Sequence, residues 1–208
     1  MPREKYLEAM RKRIAEAKVG SVFVLSDFSD IAETDAVRKA MTRIENDKTV
    51  LRIMRGVYYK PEYNALLGEA VAPSPDAVAH ALARNYGWTI VPCGDTALNL
   101  LGLSTQVPSQ WVYVSDGAYK EYSFGNTVIS FKKTANKEIS NVSYKTALVI
   151  QALKAYGKEN ITDEILIRLQ KALTNEEKQR MFTESKSVTA WIYEYIRAIC
   201  KNTAEENV

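Results

Sequence analysis

The sequence predicts an α+β protein with two domains. Three features support this class: an amphipathic helix followed by a basic hairpin, a central group of β-rich segments between turn dipeptides, and a helical last third. With 46% hydrophobic residues in a chain of 208, more than one core can be buried. Gly68, Pro73 and Pro75 indicate a connection, so we expect a first domain over residues 1–62 and a second over 63–208.

The first domain begins with a predicted helix over residues 3–17. A short apolar run, 21–25, then leads to Ser26, which is a plausible cap for a short helix over 27–32. The helix over 3–17 is predicted because its apolar residues recur at helical spacing: Tyr6, Leu7, Met10, Ile14 and Ala17.

A helix from Thr34 to about Asn46 is the most clearly predicted element. The Thr34 side chain can accept from the free amides of the first turn, and Asp35 suits the positive end of the helix dipole. One apolar stripe is formed by Ala36, Val37, Ala40, Met41 and Ile44. The outward side chains are then Asp35, Arg38, Lys39, Thr42, Arg43 and Asn46.

A two-stranded hairpin is predicted after this helix. Residues 49–53 alternate like a strand, 54–56 form the tip, and 57–59 return. Gly56 suits a tip, where a positive φ is often needed. Two short helices, a tight turn and a hairpin form the layout of a winged helix-turn-helix, with a wing that carries Arg52, Arg55 and Lys60.

The charge pattern of this segment favours DNA as a partner. Residues 1–62 hold 13 Lys and Arg against 10 Asp and Glu, whereas residues 63–208 hold 15 of each. A helix with Arg, Lys, Thr and Asn beside a basic wing matches the base edges and phosphates of a duplex. The alternative is that these side chains only form the solvated face of a small α+β unit.

The second domain is predicted to combine a small, mainly antiparallel sheet with helices. Ser74 and Pro75 begin a helix that ends at Gly87, and Asp95 caps a short helix over 96–101. Three strands in a meander are expected at 111–115, 119–124 and 128–133. The helices that follow are expected over 144–156, from Thr162 to Leu173, from the capping box at 174–177, and around 188–199. The stripe around Trp191 and Tyr195 fits a core helix, with a partner-binding surface as the alternative.

Composition indicates a cytoplasmic protein. No apolar run approaches the length of a membrane span, and residues 1–18 lack the apolar centre of a signal peptide. Cys93 and Cys200 are far apart, so we expect reduced thiols. His80 is the only histidine, which argues against a zinc site or a serine–histidine triad.

The sequence favours no enzyme, and we expect no catalytic residues, metal or cofactor. The turn at Cys93–Thr96 is similar to that of nucleotidyltransferases, but the strand that follows leads to a single Asp116 rather than to paired carboxylates. The residue two positions after Glu121 is Ser123 rather than a lysine, so the Glu-x-Lys pattern of metal-dependent nucleases is missing too. The alternative function is a metal-dependent nucleotidyl-transfer or nuclease domain localised by the DNA-binding module.

Several motifs together resemble a known family. They are DAVRKAMTRIENDKTVLRIMRGVYYKP at 35–61, GWTIVPCGDTALNLLGLSTQVP at 87–108 and WVYVSDG at 111–117. They resemble the AbiEi-type antitoxins of type IV toxin–antitoxin (abortive infection) systems, including shorter relatives with NKEIS (136–140) and SYKTALVIQALKA (143–155).

The resemblance implies a bacterial autorepressor that binds double-stranded DNA at repeats in its own promoter. It also implies that the C-terminal domain counteracts a cognate toxin of the nucleotidyltransferase type. No residue of that domain is assigned a role. The DNA-contacting residues would be Thr34, Arg38, Lys39, Thr42, Arg43, Arg52, Arg55, Tyr58 and Lys60. Among these we expect base contacts from Arg38, Thr42 and Arg43, and phosphate contacts from Lys39, Arg52, Arg55 and Lys60.

Overall fold

The computed structural model describes residues 3–64, 66, 68–134, 139 and 141–201. It confirms a mixed α+β protein with small sheets, and its contacts divide the chain into two compact units, Met1–Trp88 and Thr89–Val208. The functional boundary after residue 62 stays a prediction. Most of the NKEIS motif, and the fraying expected at residues 203–208, lie outside the described residues.

The first unit is built around a three-stranded antiparallel sheet. In chain order the elements are α1 (Arg3–Glu16), β1 (Val22–Val24), a 3-10 turn (Leu25–Phe28), α2 (Thr34–Asn46), β2 (Leu51–Met54), β3 (Val57–Tyr59), β4 (Glu62–Tyr63), β5 (Ala70–Val71) and α3 (Pro75–Tyr86). The strand order of the sheet is β1-β3-β2, and β4 and β5 form a separate antiparallel pair.

Both faces of β1 and β3 are covered. Phe23 and Tyr58 are register partners and belong to the same core cluster as the buried side chains of α1 and α2. Their neighbours along the strands point to the opposite face and are buried as well. There α3 packs against β1, and the Arg84 guanidinium donates to the carbonyl oxygen of Val22 at 3.1 Å.

The short helix predicted at residues 27–32 is instead a 3-10 turn, Leu25–Phe28. The Asp27 carboxylate accepts from the Val24 amide at 2.9 Å, which fixes the start of the turn. Arg13 of α1 donates to the Asp27 carbonyl at 2.6 Å, and the Ile31 amide bonds to Phe28 instead. An α-helix would need the Asp27 carbonyl for the Ile31 amide, so this tertiary bond replaces a helical one.

The second unit combines a four-stranded sheet with five helices among its described residues. In chain order its elements are β6 (Ile90–Pro92), α4 (Asp95–Leu100), β7 (Gln110–Ser115), β8 (Lys120–Phe124), β9 (Thr127–Lys133), α5 (Tyr144–Tyr156), α6 (Asp163–Lys171), α7 (Asn175–Glu184) and α8 (Ala190–Cys200).

No described helix of either unit is long and apolar enough to cross a membrane.

The predicted meander is wrong, because β9 lies between β7 and β8. The strand order is β6-β7-β9-β8, with β7 and β9 parallel and the other pairs antiparallel. The turn at Asp116-Gly117 does not close a hairpin, since β8 pairs with β9, and Asp116 instead continues the pairing of β7 with β6. Its amide donates to the Thr89 carbonyl at 3.3 Å and its carboxylate accepts from the Thr89 amide at 2.9 Å.

The helices of this unit largely follow their sequence signals. Thr162 caps α6, and Thr174 with Glu177 forms the expected capping box of α7. Asp95, by contrast, is the first residue of α4 rather than its cap, since Gly94 occupies the cap position with φ 57°. The apolar stripe of α8 packs into the main core of the unit with α5, which supports the core-helix interpretation.

A carboxylate from α7 holds the start of α5. Glu184 Oε2 accepts from the Ser143 amide at 2.8 Å, the Ser143 hydroxyl at 2.7 Å and the Thr146 hydroxyl at 2.8 Å. Its Oε1 accepts from Arg180 at 2.7 Å. Partial burial acts to raise the pKa of Glu184, but these bonds outweigh it and lower the pKa to about 2. Glu184 therefore does for α5 what a capping side chain normally does.

Candidate nucleic-acid interface

Helix α2 presents one buried face and one fully solvated face. Val37, Ala40, Met41 and Ile44 are buried, as their spacing predicts. The exposed residues on the other side are Thr34, Asp35, Arg38, Lys39, Thr42, Arg43 and Asn46. Asp35 and Thr42 are about two turns apart and Asn46 about one turn further, so these three lie along the middle of the solvated face.

Thr34 is exposed on this face but does not cap the helix. The cap position is occupied by Glu33, whose side chain makes no capping bond. The Glu33 carbonyl accepts the first helical bond from Val37 at 2.9 Å, which makes Thr34 the first helical residue. The predicted capping role of Thr34 is therefore wrong, while its position beside the other polar side chains is as expected.

Two of the predicted DNA contacts on α2 have partners within the helix. Arg38 donates to the Asp35 carboxylate at 2.8 Å, and the Thr42 hydroxyl donates to the Arg38 carbonyl at 3.0 Å. Lys39 and Arg43 are exposed, with no side-chain hydrogen bond or ion pair to another described residue. Both are thus open to an external anion.

The β2–β3 hairpin places two more cations in solvent. Its tip is Arg55-Gly56, and Gly56 has φ 79°, which a residue with a Cβ rarely adopts. The register shifts between Arg52 and Met54, and the Arg52 guanidinium lies 3.4 Å from the Met54 carbonyl. Arg52 and Arg55 are both exposed.

Tyr58, predicted to contact DNA, is buried. Only 5% of its surface is exposed, and it packs in the core with Phe23 and the helices. Burial raises the pKa of its hydroxyl, and the charge of Glu45 adds to this, whereas Arg52 and Arg38 act to lower it. Arg52 is the cross-strand partner of Tyr58, so its side chain starts from the face of the sheet that packs against α1 and α2.

Lys60, predicted to bind phosphate, is engaged inside the protein. Its ammonium donates to the carbonyl oxygens of Ala15 at 2.7 Å and Ala17 at 2.8 Å. These carbonyls lie at the end of α1, where a cation also complements the helix dipole. The lysine therefore ties the strand end after β3 to α1.

No cluster of three or more His, Cys, Asp or Glu suited to a metal ion occurs among the described residues. Asp116 is committed to Thr89, and Asp95 lies in the first turn of α4. Cys93 and Cys200 form no disulfide with a described residue, and the Cys200 thiol donates to the Lys178 carbonyl at 3.3 Å. Burial raises the pKa of both thiols.

The basic surface of α2 and the β2–β3 hairpin lies within a recognised family region. Residues 9–181 match the family described as "Family of unknown function (DUF6088)". The chain belongs to DUF6088. No curated protein matches this DUF6088 member. Among solved structures it is similar to "Crystal structure of RV2827C protein from Mycobacterium tuberculosis", with a TM-score of 0.40 and 12% sequence identity, over 96% of this chain and 77% of that one.

Proposed function

We propose that this DUF6088 protein is a bacterial, cytoplasmic DNA-binding autorepressor that also acts as an antitoxin. In this proposal residues 1–62 form a winged helix-turn-helix that reads repeats in the promoter of its own gene. The observation that carries the DNA-binding part is that Arg38 of α2 is exposed, and so is Arg52, which starts from the sheet face that packs against α1 and α2. Lys39, Arg43 and Arg55 extend this set of exposed cations.

The order and pairing of the elements support the winged-helix interpretation. A helix, a strand, a short helical turn and α2 precede the hairpin, and β1 pairs with the returning strand β3. A hairpin anchored in this way is held beside α2 by the sheet. An α-helix fits the major groove of B-DNA, and a neighbouring basic hairpin can then contact the flanking phosphates.

The structure refines which residues are proposed to contact DNA. Base edges are assigned to Arg38, Thr42 and Arg43, with Thr34 at the start of the helix beside them. Phosphates are assigned to Lys39, Arg52 and Arg55. Tyr58 and Lys60 are not retained, because one is buried and the other bonds to α1.

The test is a fluorescence-anisotropy titration against the promoter DNA upstream of the gene and against a scrambled duplex of the same composition. We expect tight binding to the promoter only. With three exposed cations assigned to phosphates, the slope of log affinity against log salt should be roughly −2.7 per bound protein, or about a 40-fold loss of affinity between 50 and 200 mM salt. Equal, weak binding to both duplexes would contradict a sequence-specific reader.

The antitoxin part of the proposal is supported by the resemblance of residues 87–117 and 143–155 to AbiEi-type antitoxins. Residues 63–208 would counteract a nucleotidyltransferase-type toxin through protein contacts, and most of them form a unit with its own core. Co-expression of this chain with a nucleotidyltransferase-type toxin of such a system should restore growth to cells that the toxin arrests. The triple variant Arg38→Ala, Arg43→Ala, Arg55→Ala should still restore it while losing repression. Growth arrest that persists with the wild-type chain would contradict this part.

A further inference from the structure

Asp35 lies in the middle of the α2 face that is proposed to contact DNA, although it is acidic. Its side chain is 82% exposed, and it sits in the first turn of the helix. A carboxylate in that place repels phosphates and so opposes non-specific binding. The same group can accept from the N4 amino group of cytosine in the major groove.

Asp35 and Arg38 form a preassembled pair on this face. Arg38 Nη1 donates to Asp35 Oδ1 at 2.8 Å, and the two residues are one helical turn apart. Among the described residues, Asp35 Oδ2 and the other N–H groups of Arg38 have no partner. Because an exposed ion pair of this kind contributes little to stability, the pair can adjust to a ligand at small cost.

The free groups of the pair form an ordered pattern, an acceptor on Asp35 followed by a fork of donors on Arg38. A C·G base pair presents the complementary order in the major groove, the donor N4 of cytosine and then the acceptors O6 and N7 of guanine. A T·A pair presents the methyl group and the acceptor O4 of thymine, then the donor N6 and the acceptor N7 of adenine. In this order the Asp35 carboxylate would face an acceptor and one arm of the Arg38 fork would face a donor.

We propose that Asp35 and Arg38 together read a single C·G base pair in the DNA site. Asp35 accepts from cytosine N4, and Arg38 donates to guanine O6 and N7. This inference rests on the proposed DNA-binding function and assigns to Asp35 a specificity-determining role. It also explains why the α2 face that is proposed to contact DNA carries a carboxylate.

The test is selection of bound sequences from a randomised duplex library by the full chain and by two variants. Asp35→Ala removes the proposed acceptor for cytosine N4, and Glu33→Ala is the matched control. Glu33 is exposed at the same helix end and makes no capping bond. Both changes are on the surface, so equal melting temperatures would verify folding.

The wild type should select a sequence motif, and selection of C·G at one of its positions should depend on Asp35. In Asp35→Ala, discrimination at that position should fall about tenfold while the other positions stay unchanged. Glu33→Ala should keep the full motif. A motif unchanged by Asp35→Ala, or equally relaxed by Glu33→Ala, would overturn this inference and leave the proposed function standing. Failure of the wild type to select any motif would overturn both.

Discussion

Replacing Glu184 by Gln should lower the free energy of unfolding by about 3 kcal/mol at neutral pH. Glu184 receives three hydrogen bonds at the start of α5 and one from Arg180. Only 18% of its side chain is exposed, so solvent screens these bonds weakly. Gln keeps the shape but loses the charge that attracts the donors, and it cannot accept through its amino group.

The effect should depend on pH in a defined direction. The pKa of Glu184 is about 2 in the folded protein against 4.5 for the free side chain, so the unfolded chain binds the proton more tightly. The stabilisation is therefore present in full above pH 4.5 and is lost as the pH falls towards 2. The wild type and the variant should converge in stability across that window.

Urea unfolding of both proteins at a series of pH values, followed by circular dichroism, measures this difference. Glu194→Gln is the matched control, since Glu194 is an exposed carboxylate on α8. It should change stability by less than about 0.5 kcal/mol. A constant gap between the wild type and Glu184→Gln from neutral pH to pH 2 would show that the Glu184 charge does not stabilise α5.

Two arginine substitutions should weaken DNA binding in different ways. Arg43→Ala should reduce affinity for the promoter site by ~1–3 kcal/mol, the usual cost of one good base contact, with little change on scrambled DNA. Arg55→Ala should weaken binding to both duplexes alike and make the salt slope shallower by about one, because a phosphate contact carries no sequence information. Anisotropy titrations at several salt concentrations measure both quantities.

Two other cations serve as controls for this comparison. Lys12→Ala removes an exposed charge from α1, outside α2 and the hairpin, and should leave the salt slope unchanged. Lys60→Ala should also leave the slope unchanged, although it removes two bonds to the end of α1 and so lowers stability. Equal losses on both duplexes for Arg43→Ala would assign Arg43 to a phosphate. An unchanged slope for Arg55→Ala would remove it from the phosphate contacts.

Local signals in the sequence predicted much of the fold. The apolar stripe of α2, the positive φ at Gly56 and the capping box at Thr174 each depend on residues within a few positions. The exposed face of α2 follows from the same periodicity. The position of the β2–β3 hairpin likewise follows from its alternation and its glycine.

Features that depend on distant residues could not be predicted. Tyr58 is buried because α1 and α2 cover one face of its strand. The alternation of apolar and polar residues along the strand does not show which face the helices cover. Lys60 bonds to carbonyls 45 and 43 positions away. The bonds of Glu184 to Ser143 and the insertion of β9 between β7 and β8 are equally non-local.

The strand order of the four-stranded sheet has a consequence for how the second unit assembles. The β8–β9 hairpin has short-range contacts, so it can form by itself within microseconds. The parallel pairing of β7 with β9 joins strands that are not neighbours in the chain, and such non-local pairs form slowly. Until β9 pairs, β7 can bond to β6 on one side only, and its other edge is open to pairing with another chain during synthesis and refolding.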